Sequence, residues 1–286
     1  YDKNSNLTTY TDPNTNDTDY AYDALERLVS TTDALSGVTE VGYNDLDYLT
    51  SVEDQRSNTT TYTYNAFGDV TGETSPDRGT ISYTHDKAGN ITSMTDARSI
   101  VTNYTWDAIN RLTDIEYPSD SSLDAELTYD LVSGCGTAPK GRLCSVEDAS
   151  GLTEYQYNDL GQLTNVEETR GALTFTTGYA YDLAGNVTGI TLPSGRDITY
   201  TRNANGQVSA VSADVNSTPT SLASSITYLP FGPMDAMTYG NSLTFSATYD
   251  QDYYLTNRTV SGGIYNHTYD TDANGNITQV GNTDYE

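Results

Sequence analysis

The sequence has few of the residues that build an ordinary hydrophobic core. Leu, Ile, Val and Phe together make up 50 of the 286 residues, or 17.5%, and the chain has only 3 Lys and 8 Pro. With a net charge of −27, these numbers are typical of a disordered chain. The 25 Tyr and 46 Thr contradict that interpretation, because both residue types favour β-strands. We therefore expect a folded, strand-rich protein in which Tyr supplies much of the buried surface.

Positive charge and long apolar segments are also scarce. The 13 basic residues are outnumbered by 40 acidic residues, so the chain should repel nucleic-acid phosphates and anionic lipid surfaces. No run of 18 apolar residues is present, which argues against a membrane-spanning helix. The chain begins at Tyr1 without an initiator Met or a signal peptide. We expect a soluble, processed or excised segment with no nucleic-acid partner and no membrane insertion.

Sequence signatures of enzymes are missing as well. There is no Gly-x-Ser-x-Gly elbow, phosphate-binding loop or dinucleotide fingerprint. Forty carboxylates prevent a catalytic pair from being recognised by its spacing. The two histidines are His85, which substitutes for a repeated aromatic residue, and His267, in a strand context. We predict no enzymatic activity, no catalytic or metal-binding residues and no cofactor.

One segment leaves a metal hypothesis open. The run from Asp12 to Asp19 is the densest group of oxygen ligands and superficially resembles a calcium loop. It lacks the glycine of the sixth position, and Asp23 rather than Glu occupies the twelfth. Turn residues in an acidic protein are the favoured interpretation, and weak calcium binding is the alternative.

A repeat of about 21 residues runs through the whole chain. Each unit contains an anchor, usually an aromatic residue followed by Asp or Asn, and thirteen anchors can be counted once substituted ones are included. The anchors to which we assign a structural role are Tyr22, Tyr43, Tyr64, His85, Trp106, Tyr129, Tyr157, Tyr181, Tyr228 and Tyr249. A repeat of this length predicts supersecondary units that bury their apolar surface against one another.

Fixed offsets from the anchor describe each unit. A large residue lies two positions before it, Gly is the commonest residue four positions after it, and aliphatic residues follow at six and often nine, as Leu49 and Val52 follow Tyr43. Alternation before the anchor predicts a strand, and the glycine predicts a tight hairpin turn. In a regular strand, two residues three positions apart point to opposite faces, so this aliphatic pair does not fit a regular strand. Either a bulge intervenes, or the first aliphatic residue belongs to the turn.

We therefore predict an all-β fold of tandem β-hairpins that form a continuous antiparallel ribbon or spiral. The whole chain, residues 1–286, is predicted to be a single array of about 13 units. Regular 21-residue units occupy residues 1–126, an irregular unit with both cysteines occupies 127–156, and looser units occupy 157–286.

These units resemble the YD repeats of the Rhs (rearrangement hot spot) family. The segments most similar to that family's motif are Tyr181-Asp182-Leu183-Ala184-Gly185-Asn186-Val187 and Tyr157-Asn158-Asp159-Leu160-Gly161-Gln162-Leu163. Tyr228-Leu229-Pro230-Phe231-Gly232 resembles the Tyr-x-Pro-Phe-Gly variant. The resemblance implies a spiral ribbon with Tyr side chains stacked between neighbouring hairpins. Its members include toxin carriers whose ribbon forms a hollow shell, insecticidal toxin components, wall-associated proteins and adhesion receptors, and sugar binding has been proposed for such repeats.

The sequence also departs from the toxin carriers of that family. Nothing matches their Asp-Pro-x-Gly self-cleavage motif, since Asp12-Pro13-Asn14 lacks the glycine and lies at the opposite end of the chain. Residues 272–286 do not resemble a toxin domain. Thirteen hairpins give roughly 125 Å of ribbon at ~4.8 Å per strand, which closes into a band only ~40 Å across. We expect that this chain alone does not enclose a cargo.

The only two cysteines, Cys135 and Cys144, lie nine residues apart in the irregular unit. Their spacing does not match a metal or redox motif, and a disulfide that pins an extended hairpin loop is the favoured interpretation. Such a bond would contribute about 2–3 kcal/mol and indicates an oxidising environment. We predict a secreted or cell-surface protein.

The function favoured by the sequence is a non-enzymatic, extracellular structural or adhesive scaffold. Its predicted partners are copies of itself or the adjacent repeats of a longer chain. One alternative is a carbohydrate-binding module that contacts cell-surface polysaccharide through aromatic residues. Another is a shell fragment of an Rhs-type toxin carrier.

Overall fold

The computed structural model describes residues 1–131, 133–215, 218–230, 232–281 and 283–284. The chain divides into unit 1, Tyr1–Leu127, and unit 2, Thr128–Glu286, and the division falls inside one strand. The prediction of a single array over the whole chain stays a prediction. Phe231, which the sequence pattern includes in a repeat motif, lies outside the described residues.

Unit 1 is built from short strands and one turn of 3-10 helix. The strands are β1 (Thr9–Thr11), β2 (Asp17–Tyr22), β3 (Leu28–Thr32), β4 (Val38–Tyr43), β5 (Leu49–Glu53), β6 (Thr59–Tyr64), β7 (Val70–Ser75), β8 (Gly79–His85), β9 (Ile91–Thr95), β10 (Val101–Trp106), β11 (Leu112–Glu116) and β12 (Ala125–Tyr129), which crosses the division. The 3-10 turn, Ser121–Leu123, precedes β12. Each strand from β1 to β11 pairs antiparallel with the next one along the chain.

Unit 2 repeats the same construction. Its strands are β13 (Leu143–Asp148), β14 (Gly151–Tyr157), β15 (Leu163–Arg170), β16 (Leu173–Tyr181), β17 (Val187–Thr191), β18 (Asp197–Arg202), β19 (Val208–Val215), β20 (Thr218–Tyr228), β21 (Met234–Tyr239), β22 (Thr244–Tyr249), β23 (Leu255–Val260), β24 (Tyr265–Thr271), β25 (Ile277–Val280) and β26 (Thr283–Asp284). Pairing again follows chain order from β13 to β26. The predicted all-β fold of tandem antiparallel hairpins is confirmed.

A β-bulge explains the aliphatic residues spaced three apart. In the hairpin of β4 and β5, Tyr43 pairs with Leu49 and Val41 pairs with Val52, with a register shift between the two pairs. The extra residue returns both aliphatic side chains to the face that carries the anchor. The same shift recurs beside Tyr64, Trp106 and other anchors. Of the two interpretations left open by the sequence, the bulge is the one observed.

The bulge divides the side chains between two faces of the sheet. The anchor face carries the anchors, the large residues two positions before them and the aliphatic residues that pair with both. The opposite face, which we name the threonine face, carries mostly Thr, Ser, Gly and Asn together with acidic residues such as Glu40 and Glu53. In the described strands, the basic residues Arg170, Arg202 and Arg258 all lie on the anchor face.

Little of the chain is deeply buried, because the sheet of each unit is a single layer. Among the described residues, the buried set is Ile81, Thr102, Cys135, Cys144, Ala213, Ile226, Phe245 and Ala247. The accessible surface is 18149 Å². Two separate globular units of these sizes would expose only about 14,000 Å². Most anchor-face residues are therefore half-buried between neighbouring strands. Within the described residues, no helix has the length and apolar content needed to cross a membrane.

Acidic residues on the threonine face oppose one another directly. Glu40 pairs with Glu53 across β4 and β5, and the same arrangement joins Asp114 with Glu126 in unit 1. In unit 2, Glu154 pairs with Glu167. Like charges in directly opposed positions destabilise a sheet, and salt screens their repulsion.

We predict that the substitution Glu40→Lys stabilises the protein by about 0.5 kcal/mol, because it replaces a repulsive cross-strand pair by an attractive one. Urea unfolding at low ionic strength measures the change, and added salt should reduce it. Glu116→Lys is the matched control, because this residue lies on the same face but opposite the neutral Asn103. Equal stabilisation by both substitutions would show that net charge alone is responsible.

Candidate functional site

The repeated anchor is the candidate site, and the structure places every predicted anchor at the same point of its hairpin. Each is the last residue of an even-numbered strand, followed at once by a turn. The anchors so placed are Tyr22, Tyr43, Tyr64, His85, Trp106, Tyr129, Tyr157, Tyr181, Tyr228 and Tyr249. We name the turns that follow them anchor-side turns, and those at the other ends of the strands far-side turns.

Tyrosine anchors reach back to the preceding hairpin. The Tyr43 hydroxyl donates a hydrogen bond of 3.0 Å to the carbonyl of Leu28, the aliphatic residue that pairs with the preceding anchor. The same bond joins Tyr22 to Leu7 (3.1 Å), Tyr64 to Leu49 (2.6 Å), Tyr157 to Leu143 (2.9 Å), Tyr181 to Leu163 (2.7 Å), Tyr228 to Val208 (3.0 Å) and Tyr249 to Met234 (2.9 Å). Each bond contributes about 1 kcal/mol, and the contribution recurs along the array.

The anchor position accepts long hydrogen-bond donors other than a phenol. Trp106 donates from Nε1 to the carbonyl of Ile91 at 2.8 Å, and Arg202 donates from Nη2 to the carbonyl of Val187 at 3.0 Å. His85 differs, because its Nδ1 is buried without a hydrogen-bond partner. A histidine ring is shorter than a tyrosine or tryptophan side chain, so His85 fills the position as a ring but does not make the recurring bond.

The family resemblance implied Tyr side chains stacked between neighbouring hairpins, and one ring contact of this kind joins Tyr48 to Tyr64, the anchor of the next hairpin. The contact that recurs from unit to unit is the hydrogen bond. Among the described residues, ring contacts join Tyr48 with Tyr64 at 5.0 Å and Tyr265 with His267 at 4.4 Å, and neither pair consists of two anchors. Burial raises the pKa of the anchor phenols Tyr64, Tyr157, Tyr181 and Tyr249 above the ordinary 10.0. These phenols are thus protonated and able to donate at neutral pH.

The residue after the anchor organises the turn. Asp23 illustrates the arrangement: its Oδ1 accepts hydrogen bonds from the backbone N–H groups of Leu25 (2.9 Å) and Arg27 (3.0 Å). Its own N–H donates to the carbonyl of Arg27, and Glu26 adopts a left-handed φ of 65°. Asn and Asp both cap turns in this way, and glycine adopts left-handed φ without a steric cost. That is why Gly is the commonest residue at the position of Glu26.

A second pair of side chains closes the anchor-side turn. The first and fifth turn residues bond to each other, and donor and acceptor exchange places from unit to unit. Acid precedes donor in Asp23–Arg27, Asp86–Asn90, Asp107–Arg111 and Asp182–Asn186, whereas the amide comes first in Asn65–Asp69, Asn158–Gln162 and Asn203–Gln207. This complementarity between turn positions one and five is visible in the sequence, but the repeat offsets alone did not predict it.

Arg27 extends this contact to the next repeat. Its guanidinium carbon lies 4.8 Å from the ring centre of Tyr43, and Nη1 donates to the carbonyl of Asn44 at 3.1 Å. Nη1 also pairs with Asp47 at 2.6 Å. One arginine therefore links two successive turns through a ring, a carbonyl and a carboxylate.

In the irregular unit, the turn after Tyr129 is enlarged. The N–H of Asp130 still donates to the carbonyl of Arg142, as in the shorter turns, but a longer loop separates the two residues. Cys135 and Cys144 are joined by a disulfide with a Cα–Cα distance of 5.1 Å, and both are buried.

The loop held by this disulfide lies against the next anchor. The N–H of Tyr157 donates to the carbonyl of Cys135 at 3.2 Å, and Thr137 donates to the carbonyl of Tyr157 at 2.9 Å. Gly136 has a φ of 80° at this bridge. A Cβ at Gly136 would collide with the backbone of Tyr157, so the close approach requires glycine.

The residues considered for metal binding have structural roles in this arrangement. Asp12 accepts from the N–H and the Nδ2 of Asn16, while Asp17 and Asp19 accept from Thr11 and Thr9. Over the described ranges, no three His, Cys, Asp or Glu side chains are grouped as metal ligands. His267 packs on Tyr265, with its Nδ1 buried and without a hydrogen-bond partner.

The groove described on the threonine face lacks the residues expected of a catalytic site. It has a volume of about 350 Å³ and is lined by Gly42, Ser51, Thr59 and the opposed carboxylates of Glu40 and Glu53. Its lining residues include neither a basic group nor a histidine to orient or neutralise a reacting species. The groove exists because the side chains at Gly42 and Ser51 are small. It is a shallow polar depression in the surface of the sheet.

Similarity to known proteins is found at the level of the repeat. A sequence model described as the RHS repeat matches residues 1–38, 43–80, 85–122 and 181–215, together just over half of the chain. Each matched segment begins at an anchor position of the repeat. No curated protein matches the sequence.

Solved structures give the same fold. The chain is similar to part of the Photorhabdus luminescens Tc holotoxin pore with a mutated TccC3, at a TM-score of 0.80 and 16% identity, over 95% of this chain and 15% of that chain. It is also similar to the crystal structure of TcdB2-TccC3, at a TM-score of 0.65 and 13% identity, over 94% of this chain and 18% of that one. The chain thus spans less than a fifth of each of these proteins, and at such identities the similarity shows the fold alone.

We predict that His85→Tyr stabilises the protein by about 1 kcal/mol, because the new hydroxyl can donate to the carbonyl of Val70, the equivalent of Leu28 and Leu49. Urea unfolding measures the change. His85→Phe is the control, since it supplies the ring without the donor, and Tyr64→Phe should destabilise by a similar amount. If His85→Phe stabilises as much as His85→Tyr, ring packing rather than the hydrogen bond is responsible.

Turn aspartates make stability depend on pH. Hydrogen bonds from Asn58 lower the pKa of Asp54 below 3.8, and side-chain hydrogen bonds lower those of Asp23, from Arg27, and Asp86, from Asn90. Because the folded pKa is depressed, this stabilisation is complete above pH 3.8 and is lost as the pH falls through the folded values.

We therefore predict that the free energy of unfolding falls steeply below about pH 4. Asp54→Asn should reduce that slope while it preserves the fold, because Asn65 caps an anchor-side turn with the same pair of hydrogen bonds. Urea unfolding at successive pH values measures it. Asp45→Asn, at an exposed turn position, controls for the change in net charge. An unchanged slope for Asp54→Asn would contradict the assignment.

Proposed function

This chain belongs to the RHS repeat family, and from that membership we propose that it is a structural wall segment of a larger Rhs-type toxin-carrier shell. The observation that carries the proposal is the recurring bond from each anchor to the preceding hairpin, in a fold that matches 95% of the chain to part of a Tc holotoxin. Rhs repeat membership was the resemblance expected from the anchor motifs, and it is confirmed.

The proposed mechanism is additive. Each hairpin supplies an anchor that bonds backward and a carbonyl that accepts the following anchor, as Leu49 and Tyr64 do. Stability accumulates with each unit, and no single unit has to enclose a core of its own. A wall of this kind extends by addition of hairpins. Its large accessible surface is consistent with a segment whose faces are covered by other parts of a larger protein.

We also propose that the segment is non-enzymatic and acts outside the cytoplasm. The chemistry seen at the anchors and turns is that of structural hydrogen bonding. The disulfide between Cys135 and Cys144 supports an oxidising environment such as the cell exterior. A nine-residue separation gives it about 2–3 kcal/mol of stabilisation through the unfolded chain. An adhesive role at a cell surface is compatible with the same scaffold.

The carbohydrate-binding alternative receives no support from the arrangement of aromatic residues. Aromatic side chains of the described strands lie on the anchor face, where hydroxyls such as those of Tyr43 and Tyr181 are engaged with backbone carbonyls. The more exposed threonine face carries hydroxyls and carboxylates. A sugar platform usually presents exposed aromatic rings, so polysaccharide remains the weaker hypothesis.

The experiment that tests the wall proposal uses the longest natural polypeptide that contains this sequence. Limited proteolysis under native conditions should leave a non-repeat segment protected, and the segment should become cleavable when Tyr43→Ala and Tyr64→Ala together weaken the wall. Tyr10→Ala is the control, at a more exposed tyrosine outside the anchor positions. If no segment is protected, or if the anchor variants do not change its cleavage, the carrier-shell proposal fails.

A further inference from the structure

The anchor-side turns of unit 1 carry an exposed apolar row. The third turn residue is Leu25, Leu46, Phe67, Ala88 and Ile109 in five successive turns. Leu25, Leu46 and Ile109 are 68%, 65% and 68% exposed, and Phe67 is 89% exposed. Large apolar side chains gathered along one edge are informative, whereas single exposed ones are ordinary. We name these five residues the tip row.

The turn itself does not require apolar residues there. The far-side turns have the same capping hydrogen bonds, from the third-residue N–H to the first-residue carboxylate, at Asp54 and Asp96. Their third residues are Arg56 and Arg98, and the far-side turn at Asp33 has Leu35 in the same position. Since turns of the same geometry carry two arginines as well as Leu35 at the far-side edge, the turn itself does not explain why four of the five tip-row residues are large and apolar.

The spacing of the tip row restricts its partner. Successive anchor-side turns are two strands apart, or ~9.6 Å, so five tips span ~38 Å. A second edge built from the same hairpins has the same spacing, so its tips can face those of the first one to one. From this matched period we propose that the tip row binds the tip row of a second copy of this chain, about a two-fold axis at Phe67. The inference does not rest on the proposed function.

Charge and size along the row fit this two-fold arrangement. With Phe67 facing its own copy, the turn of Leu46 faces the turn of Ala88, so a large residue meets a small one. The same pairing brings the exposed Asp45 opposite the exposed Lys87. Leu25 faces Ile109 at the ends. Opposite charges at the rim set the register, and the apolar tips lose exposed surface at the centre.

The proposed contact between two tip rows is small, so we expect it to be weak. Five tips on each side bury less than the ~1,200 Å² typical of stable complexes, so the dimer belongs to the weak, concentration-dependent class. Each further hairpin with an apolar tip would lengthen the row without a new kind of contact. Edge pairing therefore strengthens with the number of repeats.

Sedimentation of the full chain from low micromolar to millimolar concentration tests the proposal. We expect a reversible dimer that Phe67→Glu weakens by about ten-fold or more, because two carboxylates would then face each other at the axis. Leu35→Glu is the matched control, at the same position of a far-side turn and 92% exposed, and it should leave the dimer unchanged. Circular dichroism and melting verify that both variants fold.

Charge exchange and cross-linking locate the contact. Asp45→Lys and Lys87→Asp should each weaken the dimer, and the double variant should restore it. A Phe67→Cys variant should form an intermolecular disulfide under mild oxidation, whereas Leu35→Cys should not. A monomer at every concentration overturns the inference. So does a dimer insensitive to Phe67→Glu, which would point to pairing through open strands or to another surface.

Discussion

The hydrogen bond from an anchor to the carbonyl of the preceding hairpin is the contact on which the rest of the structure depends. A single-layer sheet has no second layer to bury its apolar face, so neighbouring hairpins must bury one another. The bulge beside each anchor turns two aliphatic residues to the same face, and it also presents the carbonyl that the next anchor reaches. Packing and hydrogen bonding are thereby combined at one point, once in each repeat.

The anchor position selects side chains that are long and end in a hydrogen-bond donor, but it tolerates different residue types. Trp106 and Arg202 satisfy the same kind of carbonyl as the tyrosines do, although they share neither shape nor charge with tyrosine. His85 retains the ring but leaves its Nδ1 unpaired. The array absorbs such a defect because its stability is distributed over many units. Irregular repeats, including the one with the disulfide, are accommodated for the same reason.

The acidity of the chain has two different structural origins. At the turns, carboxylates such as Asp23 and Asp54 accept backbone hydrogen bonds, and their charge stabilises the fold. On the threonine face, Glu40 and Glu53 oppose each other, and their charge works against the fold. The two edges of unit 1 also differ: their turns share one geometry, but large apolar third residues are commoner at the anchor-side edge, where they form the tip row. Local folding therefore does not account for the whole composition.

The sequence by itself determined the period, the strand and turn character of each unit, the position of the anchors and the family. These features are local, because alternation, turn residues and repetition express backbone preferences within one hairpin. The partner of each anchor could not be predicted from the sequence, since a backbone carbonyl leaves no residue-specific signal: Leu28 and Val208 serve equally. The bulge was one of two interpretations compatible with the spacing of Leu49 and Val52, and only the observed register separates them. The pairing of Cys135 with Cys144 was anticipated from spacing, but the loop that it holds against Tyr157 depends on contacts distant along the chain. Those contacts are tertiary, and the structure alone decides them.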